Sequence, residues 1–157
     1  MKAFLRNAII LVALVIIDQL IKWWFAAKRA YLDLGFAVLH YVTNTGASFG
    51  MLHGNNTLLA WFSIIVLGII MSLADKIRKE QVLSVIIIIS GLIGNFIDRL
   101  FRGFVVDFVD LKFWPVFNLA DSLVVIGVIW LGIVILGKDV KEIKKRDKRE
   151  TKGKKKK

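Results

Sequence analysis

The chain has 157 residues, 57% of them hydrophobic, a single proline and a formal net charge of +11, a balance that excludes a soluble domain with a polar surface and fits one small integral membrane domain. The absence of cysteine excludes a disulfide framework, thiolate catalysis, cysteine-ligated zinc and iron–sulfur clusters. Twelve of the 23 Lys and Arg residues lie from Lys138 onward, so the positive charge reads as a basic tail on anionic lipid headgroups and not as a nucleic-acid surface.

Met1 to Ala27 opens with Lys2 and Arg6 and continues as an apolar run from Ala8 to Ile17, the outline of a secretory signal peptide. Asp18, Gln19 and Lys22 break that outline. A cleaved apolar region carries no acid and base within it, whereas a retained helix does so when they face other helices. Asp18 and Lys22 are one helical turn apart and neutralise each other. At about 1.5 Å per residue from Asn7, they stand roughly 16 and 22 Å along the helix, in the far half of the bilayer. They are either a structural ion pair or a part of a site there.

Lys28 to Asn56 reads as the first loop, with Val38 to Thr43 β-branched enough for a short strand. It holds Asn44, Gly46 and the run GASFG around Ser48. That run fits the G-x-S-x-G nucleophile elbow, with His40 and His53 near, but the elbow needs a large α/β sheet for which the chain has no room. Two histidines thirteen apart are not a zinc pair either, and neither metal nor cofactor is expected.

Leu58 to Ala74 is a second span, Asp75 to Glu80 a short charged connection, and Val82 to Ile97 a third span. Near its end, Gly91 and Gly94 suit close helix contact, and Asn95, Asp98 and Arg99 share one side. Asp107 and Asp121 then flank a short aromatic loop containing Pro115. Ionisable groups beside a membrane are functional candidates. Two carboxylates brought together cannot both ionise, so the pair holds one proton, with one oxygen as base and another as acid, the chemistry of aspartic-type peptide hydrolysis. The 13 residues between them impose no distance by themselves. Asp121 opens the fourth span, Leu119 to Gly137, where the helix dipole favours a carboxylate.

Lys2, Arg6, Lys76, Arg78, Lys79 and the tail would share the inner side of a four-span protein with both termini cytoplasmic. Every polar cluster then falls at the outer leaflet, which argues for one site. The rival reading is a small proton-coupled transporter with Asp18, Lys22 and Asp98 as a relay across the bilayer; against it, the acids gather at one face. A non-catalytic anchor leaves the clusters without purpose. Residues 1–137 form the membrane domain and 138–157 a charged tail, disordered at its end.

Five ordered blocks, Asp18-Gln19-x-x-Lys22, Asn44-x-Gly46-Ala47-Ser48-Phe49-Gly50, Gly94-Asn95-x-x-Asp98-Arg99, Val105-Val106-Asp107-Phe108 and Phe117-Asn118-x-Ala120-Asp121, resemble the lipoprotein signal peptidases, the signal peptidase II family of bacterial inner-membrane aspartic proteases. The resemblance implies an all-α membrane fold of four transmembrane helices with a small β-rich extracytoplasmic cradle, and Asp107 and Asp121 as the catalytic pair. It also implies cleavage of diacylglyceryl-modified prolipoproteins just before the modified cysteine. Asn44, Asn95, Asn118 and Arg99 are candidates for orienting substrate and stabilising the oxyanion. Asp18 and Lys22 brace the first loop, and Gly46, Asp98 and Ala120 support the site. Ser90 and Leu92 stand where the family often has Gly and Ala, a departure confined to the packing of the third helix.

Overall fold

The computed structural model describes residues 1–46 and 55–154, with side chains described as far as residue 137. In chain order the elements are α1 (Lys2–Lys28), β1 (Tyr31–Asp33), β2 (Val38–Asn44), α2 (Asn56–Ser72), α3 (Val82–Arg102), β3 (Val105–Asp110) and α4 (Leu119–Lys154). A short 3-10 turn, Ala74–Lys76, lies in the charged connection before α3.

Among the described residues three helical stretches are long and apolar enough to cross a membrane: α1, α3 and the Leu119–Gly137 part of α4. The span expected over residues 58–74 is the apolar α2, which is shorter at 17 residues and begins at Asn56. Beyond Gly137 the α4 backbone stays helical to Lys154, so its apolar part and the start of the basic tail are one continuous rod.

Apolar side chains point outward. Phe4, Ile9 and Leu20 of α1, Phe62 and Ile65 of α2, and Ile129 and Ile133 of α4 are all exposed, as a lipid solvent allows. The inner face of α3 is instead small and polar, with Ser84, Ser90, Gly91, Gly94, Asn95 and Asp98 buried. Lipid tails give helices no hydrophobic reason to associate, so close packing and polar contacts hold the bundle together. The two buried serines satisfy themselves within the helix, Ser84 Oγ donating to Gln81 O and Ser90 Oγ to Ile86 O, each at 2.8 Å. At Gly94 a β-carbon would lie 2.6 Å from Asp18 Oδ2 and 3.2 Å from the Ala120 β-carbon; only glycine lets α1, α3 and α4 meet there. α3 is thus the central helix. α2 and α4 both pack on it, yet their backbones do not approach one another closely among the described residues, which leaves a slot between them floored by α3.

At one end of the bundle sits an antiparallel sheet of order β1-β2-β3, the cradle that the sequence resemblance implies. Gly103 caps α3 with φ of 77°, a left-handed conformation natural to glycine, and turns the chain straight into β3. Phe108 of β3 stacks on Phe25 of α1 with ring centroids 4.7 Å apart, so the sheet is seated on the first helix.

Candidate active site

Asp107 lies on β3 opposite Val42 of β2, and a register irregularity between Leu39 and Val42 sets that pairing. Asn44, two residues beyond Val42, shares its strand face and is diagonal to Asp107, within reach of a long polar side chain. Its Nδ2 donates to Asp107 Oδ2 at 2.8 Å. The distance that spacing left open is closed by main chain. Phe117 folds back on β3 and forms an antiparallel bridge with Val109; Phe117 N donates to Val109 O at 3.0 Å, and Phe117 O accepts from Val109 N at 2.8 Å. The next residue, Asn118, then begins α4 beside Asp107.

Asn118 caps that helix. Its Oδ1 accepts from Asp121 N at 2.9 Å, while Asp121 Oδ2 accepts from Asn118 N at 3.2 Å. This is a reciprocal capping box, satisfying two otherwise orphaned amides. Asn118 Nδ2 also donates to Asp107 Oδ1 at 2.6 Å, and Asn95 Nδ2 of α3 donates to Asp121 Oδ1 at 2.7 Å. Each of the four carboxyl oxygens of Asp107 and Asp121 therefore accepts an N–H. Asp107 is 1% exposed. Burial, and after it the charge of Asp121, push its pKa up to about 7 against the opposing hydrogen bonds from Asn44 and Asn118.

Behind this pair lies a second polar cluster, fully buried at its centre. Lys22 Nζ contacts Asp18 Oδ2 at 2.8 Å, Asp98 Oδ2 at 3.0 Å and Asn95 Oδ1 at 2.9 Å. Arg102 pairs with the other oxygen of Asp98, and Gln19 Nε2 bridges Asp18, Asp98 and Gly94 O at 3.0–3.2 Å. Two acids and two bases leave it neutral, and they are gathered at one place instead of strung along the helices as a relay. Asp18 Oδ1 accepts from Ala120 N at 2.9 Å, which ties the cluster to the first turn of α4. Gln19 and Arg102 were not among the expected site residues. The signal for Arg102 was available, since it follows Asp98 at i+4, but Ile97 looks like the end of the apolar span.

Gly46 N donates to Asn44 Oδ1 at 2.9 Å. Arg99 lies over the α2–α4 slot, where its Nη1 is 3.5 Å from Asn95 O and its buried Nε makes no hydrogen bond among the described residues. That slot is a groove of about 640 Å³; Phe62, Leu92, Trp114 and Val125 line it, and Asn95, Arg99 and Asp121 are on its wall. His40 stands 3.5 Å from Asp110 Oδ2, and no hydrogen bond joins it to Asp107 or Asp121 among the described residues. Ser48 and His53, considered for the elbow, lie outside the described residues.

Residues 10–137 match the family described as Signal peptidase (SPase) II. The lipoprotein signal peptidase of Syntrophomonas wolfei subsp. wolfei is 43% identical over 133 residues, covering 78% of this chain and 87% of that one. That of Caldanaerobacter subterraneus subsp. tengcongensis is 41% identical over 143 residues, covering 83% and 97%. Two solved bacterial membrane enzyme structures superpose with TM-scores of 0.77 and 0.74 at 32% and 31% identity, covering 86% and 83% of this chain and 89% and 92% of theirs.

Proposed function

From the premise that the chain belongs to the signal peptidase II family, we propose that it removes signal peptides from prolipoproteins as a membrane aspartic endopeptidase, with Asp107 and Asp121 as its catalytic pair. One observation carries the aspartate assignment: two carboxyl groups share Asn118 as a partner and have an N–H donor on every oxygen, Asp121 at the wall of an apolar groove and Asp107 nearly inaccessible to water behind it. Such a pair holds one proton below about pH 7, and the raised pKa of Asp107 makes it the holder.

Asp121, ionised, takes a proton from a water molecule as the water oxygen bonds to the scissile carbonyl carbon. Asp107 gives its proton to the carbonyl oxygen. When the resulting diol collapses, the carbon–nitrogen bond breaks and a proton passes from the pair to the leaving amine. The three asparagines hold the carboxyl groups. Arg99, with donors facing the groove, is the candidate for the substrate backbone and the developing oxyanion.

Substrate reaches this site from within the membrane. The slot between α2 and α4 is apolar and takes the acyl chains of a diacylglyceryl-modified cysteine, with the scissile bond just before it at the polar wall. On this reading α2 is the fourth crossing, about 25 Å long and at the short end of what spans a bilayer. The basic residues of Lys2, Arg6, Lys76 to Lys79 and the tail put both termini on the cytoplasmic side of the inner membrane, the tail on anionic headgroups, and the aspartates at the outer leaflet.

A gel-shift cleavage assay with a lipidated precursor in detergent tests the assignment. Asp107→Asn and Asp121→Asn each abolish the shift while the protein stays inserted and folded, and either change lowers turnover nearly as much as both together, because the residues act as a unit. Near-normal turnover in one single variant refutes it.

A further inference from the structure

Around the two aspartates, the orientation of each asparagine amide is dictated by a partner with no choice of its own. Asn44 Oδ1 faces the backbone N–H of Gly46 and Asn118 Oδ1 faces that of Asp121, both at 2.9 Å. A backbone N–H only donates, so the NH2 group of each asparagine must turn the other way, and both turn to Asp107. Asn95 has no backbone group in this part. Its Oδ1 accepts from Lys22 Nζ at 2.9 Å and from Asn118 Nδ2 at 3.1 Å, and its Nδ2 reaches Asp121 Oδ1 at 2.7 Å.

An ammonium group has three N–H bonds and accepts nothing. If Asn95 flipped, its NH2 would oppose the ammonium and its carbonyl oxygen would oppose the Asp121 carboxylate. Lys22 cannot turn aside to permit this. It is 0% exposed, and its other two protons are taken by Asp18 Oδ2 and Asp98 Oδ2 at 2.8 and 3.0 Å. A lysine paired with two acids is already satisfied electrostatically; its third N–H, aimed at Asn95, is the contact that the ion pairing does not explain.

We propose that Lys22 is a positioning residue for the catalytic pair: through Asn95 it keeps an N–H on Asp121 Oδ1, so that Asp121 stays the proton-accepting member. Lys22 touches neither aspartate of the pair. Without it Asn95 Oδ1 keeps only the longer bond from Asn118 Nδ2 at 3.1 Å, and the amide is held less firmly with its NH2 on Asp121 Oδ1. The proposal rests on the aspartate assignment above and adds to it the reason that the two members hold different roles.

The test is a double-mutant cycle in the full-length protein, with the lipidated precursor in detergent. Asp18→Asn serves as background so that Lys22→Met leaves Asp98 and Arg102 as a balanced pair. Onto that background go Lys22→Met, Asn95→Leu and both together. Lys22→Met is expected to lower kcat about 100-fold, the scale of a small misplacement at a reacting centre, with KM and thermal midpoint unchanged from the background. Asn95→Leu does the same, and the two together cost no more than either, since one acts through the other. A folded Lys22→Met variant with the kcat of its background, or losses that multiply, overturns the proposal. Asn95→Asp in the otherwise unaltered protein is a second check, keeping Lys22, its ion pairs and the side-chain volume while putting an oxygen where the donor was. Its kcat is expected to fall with KM unchanged, and undiminished kcat overturns the proposal without reference to folding. Asp121→Asn is run alongside. If that variant still turns over, the aspartate assignment has failed; if it is inactive and the Lys22 variant is not, only the positioning role has.

Discussion

Asp107→Asn, besides ending turnover, should change how stability depends on pH, and by an amount that the structure sets. A carboxyl group that would lose its proton near 3.8 in an unfolded chain holds it to about 7 in the fold. At about 1.4 kcal/mol per pH unit, the folded protein with Asp107 ionised is less stable by about 4 kcal/mol than with Asp107 protonated. The folded state binds the proton more tightly, so this stability is present in full below the unfolded value, is lost as pH rises between the two, and is gone above about 7. Asparagine carries no such proton and should show none of this loss. It has a drawback of its own, because its NH2 must oppose one of the two donors, Asn44 Nδ2 or Asn118 Nδ2, that Asp107 now accepts, at about 1 kcal/mol. The variant should then be slightly less stable than the parent in acid and more stable by about 3 kcal/mol on the alkaline side. For a chain of this size that is roughly 6–12 °C in thermal midpoint. Tryptophan fluorescence melts of both proteins in detergent, taken across the acid-to-alkaline range, measure it. Melting curves that stay parallel with pH, or a parent that is the more stable in alkali, would refute the buried proton.

The same proton should appear in the kinetics: kcat/KM falls on the alkaline side as the pair loses it, with a limb near pH 7 in the free enzyme, and a profile without an alkaline fall contradicts a shared proton. Gly94→Ala sets a β-carbon 2.6 Å from Asp18 Oδ2 where α1, α3 and α4 meet, and should destabilise by about 1–3 kcal/mol. Gly132→Ala, with nothing within 4 Å of its β-carbon, is the control, and equal midpoints for the two would contradict the close approach. A precursor without its diacylglyceryl group, embedded in the same detergent, should be cleaved orders of magnitude more slowly even at saturation, since acyl chains moving from lipid to groove add position more than affinity. Equal turnover would remove the lipid from the reaction.

What the residues disclose by themselves is whatever one helix decides. Asp18 and Lys22 at i and i+4, Asn95 and Asp98 on one side of α3, and Asp121 in a first turn all follow from 3.6 residues per turn, and each is found so. Arg102 escapes because hydropathy ends the third helix at Ile97, whereas tertiary contact carries it to Arg102, whose pairing with Asp98 reaches into the cluster. The place of Asp107 escapes for a deeper reason. It depends on strand register, a β2 irregularity and the Val109–Phe117 bridge, all between residues distant in the chain, and no local pattern encodes such pairing. The roles of the asparagines are hidden likewise. Three separate residues of one type give no hint that their oxygens are held by Gly46 N, Asp121 N and Lys22 while their nitrogens converge on the carboxyl groups.

The Val109–Phe117 bridge is made of main-chain atoms alone, and a clasp of that kind is indifferent to which side chains it carries. The loop that it closes holds Phe113, Trp114 and Pro115, which line the groove, while the aspartates are anchored outside it, on β3 and on α4. Chemistry and taste are thereby inherited separately. A lineage can rewrite residues 111–116 to suit another set of precursor sequences, or to shed an inhibitor lodged against Trp114, without disturbing the spacing of the two carboxyl groups. An inhibitor that draws its affinity from that loop invites escape, whereas one bonded to the asparagine-held carboxyls leaves the chain no silent way out.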